Sequence, residues 1–183
     1  YTPGAISDEW TTNGTSANMR WFPMDYSTPT NNTGPSGDHT TGTGIYMFYR
    51  AGYGALGDEA YFISSCFDLS TYSNPVVKFW YHMYGAGVGN LYVDALDSSG
   101  TWVRLSTLSG QQQTSTTSPW LQQVVDLSSV TSHYTRIRFV AHKTSSSSVG
   151  DIAIDDVSIS EPNLTDAGVT AQLLPMDLFS EVG

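Results

Sequence analysis

The chain has 183 residues, enough for one domain with a real core plus a tail. Charged residues are only 13% and aromatics reach 13%, and 17 acidic against 7 basic side chains leave a net charge of −10. Such a surface repels phosphate backbones and argues against nucleic acid as a partner, whereas acidic loops suit hard cations such as calcium. One cysteine, Cys66, excludes an internal disulfide, and no run approaches the roughly 20 apolar residues of a membrane span.

Helical periodicity is absent, and short β-like runs recur between Gly, Ser, Asn and Pro. Trp10–Phe22 holds one or two strands, and Asp25–Thr43, rich in Thr, Asn, Gly and Pro, is a loop. Strands follow at Gly44–Arg50, Glu59–Ser65, Val76–Tyr84, Asn90–Leu96 and Trp102–Ser106. A polar loop, Leu108–Ser118, precedes strands at Trp120–Leu127, Tyr134–His142 and Asp151–Ile159. Nine or ten short strands without helical crossovers predict an all-β, antiparallel sandwich or barrel. The pattern stops at Glu161, which bounds one domain over 1–161. Residues 162–183 read as a linker or as the start of a following Ig-like module. The first residue is Tyr1, with neither Met nor signal peptide, so the chain reads as a piece of something larger.

Neighbouring strand residues face opposite sides. In FWYHMYGAGVG, Phe79–Gly89, parity puts Val77, Phe79, Tyr81 and Met83 on one face and Lys78, Trp80, His82 and Tyr84 on the other. The Gly turn and the returning NLYVDAL run read as a central hairpin.

These segments resemble the MAM family. The resemblance rests on FWYHMYG with its Gly turn and the following LYV. It also rests on the loop GPSGDHT (Gly34–Thr40) before GIYMFY, and on the closing GDIAIDDVSI (Gly150–Ile159). FDLS (Phe67–Ser70) and VDLS (Val125–Ser128) resemble bacterial secreted members. The motifs stand in family order over roughly residues 6 to 160. Departures are the missing paired cysteines of animal members and Arg50, where many relatives carry an acid. The resemblance implies a jelly-roll β-sandwich in secreted or cell-surface proteins, an adhesion module in animals and an accessory module of secreted enzymes in bacteria, with no catalytic residues of its own.

No HExxH or GxSxG motif is present, and Cys66 reads as a buried apolar thiol rather than a nucleophile. Adjacent Asp155 and Asp156 would face opposite sides and cannot form a glycosidase pair. A structural calcium site is expected from Asp38, Asp156 and either Asp8 or Glu9, because a jelly roll brings its first and last strands together. Asp156 shares a face with Ile152 and Ile154 by parity, where a carboxylate needs a partner or a metal; alternatively, Asp38 or Asp156 caps a turn. A ligand face is expected from Lys78, His82, Tyr92, Trp102, Arg104 and Arg136: aromatic rings stack on sugars, and Arg reads carboxylate or sulfate. The alternative is that Trp80 and His82 pack inside and that an Arg such as Arg138 is a structural salt-bridge partner. The two long loops are further recognition candidates, and Asn13, Asn31 and Asn163 open glycosylation sequons. The reading is a monomeric extracellular module that binds a polysaccharide, an anionic one suiting its Arg residues, on behalf of a larger secreted bacterial enzyme. A protein-docking domain and a calcium-rigidified spacer are the alternatives.

Overall fold

The computed structural model describes residues 9–130 and 134–162. Among them there are twelve strands and no helix. The strands are β1 (Trp10–Gly14), β2 (Trp21–Met24), β3 (Tyr46–Tyr49), β4 (Glu59–Ser64), β5 (Phe67–Asp68), β6 (Val76–Met83), β7 (Asn90–Leu96), β8 (Trp102–Ser109), β9 (Leu121–Asp126), β10 (Tyr134–Thr135), β11 (Ile137–His142) and β12 (Ile152–Ser160). They form two five-stranded antiparallel sheets, in the orders β1-β4-β11-β7-β8 and β2-β3-β12-β6-β9, plus the short pair β10-β5. This is the expected jelly-roll sandwich.

The core lies between the sheets. The face of β6 that carries Val77, Phe79, Tyr81 and Met83 packs against Leu91 and Val93 of β7 and Ile137, Phe139 and Ala141 of β11. The Phe79 and Phe139 rings meet edge-on with centroids 4.8 Å apart. Burying each such ring contributes roughly 2–3 kcal/mol. Trp10 stacks on Phe62 at 4.5 Å and so ties the first strand to the core. Trp21 is buried and donates its indole N–H to the Ala60 carbonyl at 3.1 Å, which satisfies its one polar atom.

The expected β6–β7 hairpin does not form. β6 belongs to the second sheet and β7 to the first, so the Gly85–Gly89 segment crosses the sandwich. Tight backbone approach is the reason for its glycines. Gly87 N–H donates to the Val149 carbonyl at 2.6 Å. A Cβ on Gly150 would sit 2.3 Å from the Gly87 carbonyl carbon, and Gly85 adopts φ +133°, which side chains disfavour. A hairpin turn and a sheet-to-sheet crossing look alike in local sequence.

Cys66 is exposed rather than buried, because it lies in the short connection between β4 and β5 where the chain leaves the sheet. The tail expected over 162–183 lies almost wholly outside the described residues, as do Asp8 and Asn163.

Candidate binding face and acidic corner

The first sheet presents an outward face on which β4, β11, β7 and β8 carry aromatic and charged side chains. Asp94 of β7 stands at its centre and is 1% exposed. The register places Arg138 of β11 beside it on one side and Arg104 of β8 on the other. Arg104 Nε donates to Asp94 Oδ1 at 2.9 Å, and Arg138 donates from Nε and Nη2 to Oδ2, both at 2.9 Å. Two guanidiniums share one buried carboxylate, and Glu59 nearby supplies the second negative charge that balances them. Each guanidinium also lies over a ring. Arg104 Cζ is 3.4 Å from the Tyr92 centroid, and Arg138 sits 4.5 Å from Trp102 and 5.0 Å from Tyr61. These cation–π contacts hold the rings and guanidiniums in one plate.

The plate continues into a polar row. Tyr92 Oη lies 3.0 Å from His142 Nδ1 and accepts from Asn90 Nδ2 at 2.8 Å. Tyr61 Oη donates to Glu59 at 2.6 Å, and burial together with that carboxylate raises the Tyr61 pKa to about 12. Arg104 remains solvent-exposed, with guanidinium N–H groups left over for a ligand.

Of the expected ligand residues, the structure thus brings together Tyr92, Trp102 and Arg104. Arg136 leaves the group: it precedes β11, and its Nε donates to the Ser64 carbonyl at 2.8 Å. Lys78 and His82 are corrections. They lie on β6 in the other sheet, so they cannot join this face. Tyr61 was missed as a ligand-face residue, and parity with Glu59 was the available signal; Arg138 was weighed for this face by its parity with Arg136 and also as a structural partner. Arg138 is indeed a salt-bridge partner, and it is also part of the plate.

The outward face of the second sheet is covered by the two long loops. Ser36 N–H of the first loop donates to the Thr116 carbonyl of the second at 2.9 Å. Beneath them Met24, Tyr46, Phe48, Ala153 and Trp120 form a second apolar cluster. His82 is 0% exposed there, with the backbone of Ser115 and Ser118 beside its ring. Burial lowers its pKa from 6.5 to about 4. The alternative that His82 packs inside is therefore the correct one.

Of the calcium candidates, Asp38 and Asp156 stand near one another, Glu9 is not brought to them, and Asp8 lies outside the described residues. Both Asp38 oxygens accept hydrogen bonds from its own loop: Gly44 N–H at 2.6 Å to Oδ1, and Thr41 N–H at 3.0 Å to Oδ2. These bonds outweigh burial and lower its pKa. Asp38 therefore caps a turn. Asp156 is not on the apolar face. A bulge between Asp155 and Ser158, with φ +48° at Asp156, swings it outward to 43% side-chain exposure. Its Oδ2 lies 2.8 Å from His39 Nδ1 and accepts from Thr40 Oγ1 at 2.6 Å. Asp155 accepts from His39 N–H at 2.9 Å, and burial, with the charges of Asp156 and Asp38 nearby, raises its pKa. Glu9 is exposed, and its carbonyl accepts from Ser65 N–H. No group of three or more His, Cys, Asp or Glu side chains among the described residues is arranged to hold a metal. The carboxylate oxygens of Asp38, Asp155 and Asp156 are instead taken up by donors of the protein itself.

The model of the MAM domain, meprin/A5/mu, matches residues 7–163. The chain belongs to the MAM family. Mouse MAM domain-containing protein 2 is 36% identical over 138 residues, which cover 72% of this chain and 18% of that protein. Zebrafish neuropilin-1a is 31% identical over 172 residues, covering 90% of the chain and 18% of its own length. The chain thus spans about a fifth of these MAM relatives. They are vertebrate proteins and do not bear on the bacterial setting. Two solved structures share the fold. The K1 cleaved adhesin domain of Lys-gingipain from Porphyromonas gingivalis W83 has a TM-score of 0.59 at 18% identity, with 86% of this chain and 94% of that one covered. TmCBM61 in complex with β-1,4-galactotriose has a TM-score of 0.56 at 12% identity, with 85% and 90% covered.

Proposed function

We propose that the domain is a non-catalytic extracellular binding module that holds a polysaccharide on the outward face of its first sheet. The observation that carries this reading is the plate of Trp102, Arg138, Asp94, Arg104 and Tyr92, joined by ion pairs and cation–π contacts with Arg104 open to solvent. The exposed parts of Trp102 and Tyr61 offer apolar area to the C–H faces of sugar rings. Arg104 offers free N–H groups that suit a carboxylate or sulfate on an anionic polymer. Support of a weaker kind comes from the fold, shared with a structure that holds a galactotriose. The setting that goes with this reading is a module of a larger secreted protein, where it raises the local concentration of its host on a glycan. The bacterial-looking FDLS and VDLS segments point to a bacterial host.

A structural calcium ion at Asp38 and Asp156 belongs to the same proposal; its support is the chemistry of these two carboxylates near one another, not a preformed ligand set. A second reading, protein docking, is favoured by one feature: an apolar groove of about 200 Å³ between Phe22, Met24, Phe48 and Tyr53 at the edge strand β2. A screen of the purified chain against neutral, uronic-acid and sulfated polysaccharides, with and without calcium, separates these. Saturable binding to an acidic class that falls with salt supports the first reading. Concentration-dependent association without glycan binding would replace it with the second.

A further inference from the structure

We infer that the cleft between the two covering loops is a second, separate saccharide site, specific for a neutral sugar. It goes beyond the first-sheet face and lies on the opposite side of the sandwich. The cleft measures about 370 Å³ and is bounded by His39 on one loop and by Thr117, Ser118 and Trp120 on the other. That volume is in the range of small-molecule sites. Across Thr116 a neighbouring cleft of about 400 Å³ is walled by Thr30, Asn31 and Asn32. Thr116 lines both, so a ligand of two or more sugar units can run from one to the other.

The walls have the chemistry that a sugar needs. Hydroxyl and amide groups dominate, each able to donate and accept. Trp120 and the His39 ring supply the apolar surfaces. Both are held in place before binding. His39 stacks on Trp80 with centroids 3.8 Å apart, and its ring and backbone are held by Asp156 and Asp155. Trp120 meets Tyr46 and His82 edge-on at 5.7 Å each. A fixed site loses little entropy when it binds.

Charge selects the class. Neither cleft is lined by Lys or Arg, and Asp38 lies in the wall with Asp155 and Asp156 nearby. With no cation at Asp38 and Asp156, phosphates, uronic acids and sulfated sugars are repelled there, while a neutral sugar is not. The two faces of the domain therefore sort ligands by charge: anionic on the Arg104 face, neutral in the loop cleft.

The test is a ¹⁵N-NMR titration of the full chain with neutral cello-, xylo- and β-1,4-galacto-oligosaccharides. Saturable shifts confined to residues 30–42 and 114–120 are expected for at least one of them. Thr117 is exposed, so Thr117→Trp should fill the cleft without disturbing the core and weaken binding at least tenfold with an unchanged melting temperature. Trp102→Ala should leave it unaltered. No shifts with any neutral oligosaccharide, or binding unchanged by Thr117→Trp, overturns the inference. Neither result touches the first-sheet reading, which is assayed with acidic polymers and Trp102→Ala.

Discussion

Replacing His82 exposes an opposition between two buried groups. His82 titrates at 6.5 when unfolded and at about 4 in the fold, because burial penalises the charged ring. Between those values the unfolded chain binds more protons, so this group's stabilising contribution is complete above about 6.5 and is lost as pH falls toward 4. The difference corresponds to about 3 kcal/mol. Asp151 does the reverse. It is wholly buried, and one carboxylate oxygen has no hydrogen-bond partner while the other accepts from Ala51 N–H. Burial raises its pKa from 3.8 to about 6 against the Ala51 hydrogen bond. Between those values the fold binds more protons, so Asp151 favours the fold below about 3.8 and this advantage is lost as pH rises through 6, again by about 3 kcal/mol. From pH 6 to 4 the two nearly cancel, with Asp155, also raised by burial, adding to the Asp151 side. Urea unfolding followed by tryptophan fluorescence at pH 4 to 7 should find the parent nearly flat. His82→Phe should gain about 3 kcal/mol on acidification across that window, and Asp151→Asn should lose about 3. Parallel pH profiles for all three proteins would refute the reasoning.

Asp94→Asn should lower stability by about 2–3 kcal/mol in chemical unfolding. That is less than a fully buried pair would lose, because Arg104 can turn to solvent. Gly150→Ala should cost at least about 2 kcal/mol in the same assay, since its Cβ has nowhere to go against the Gly87 backbone. If the calcium proposal holds, EDTA should lower the melting temperature of the parent and have a much smaller effect on Asp38→Asn; an identical melting curve with and without chelator would remove the ion.

The strands were legible because alternation survives in them: β4 reads half-buried, buried, half-buried along its whole length, and the pairs Tyr92–Asp94 and Trp102–Arg104 kept the parity expected. What was not legible is where local sequence has two outcomes. The Gly85–Gly89 turn serves a hairpin or a crossing equally well, and it placed Lys78 and His82 on the wrong sheet for the binding face. Parity failed at Asp156 because a single residue at positive φ resets the alternation, and nothing in IDDV announces a bulge. Both long loops were recognised as loops, but not that they meet at Ser36 and Thr116 and bury His82, since that depends on contacts between segments some 80 residues apart.

The central claim is tested most directly by titrating sulfated and uronic-acid polysaccharides into the parent chain, Trp102→Ala and Arg104→Ala, with melting temperatures measured alongside. The account predicts saturable, salt-sensitive binding by the parent to one of these polymers, weakened at least tenfold in both variants, which stay folded. Absence of binding by the parent, or equal affinity in all three, would contradict it.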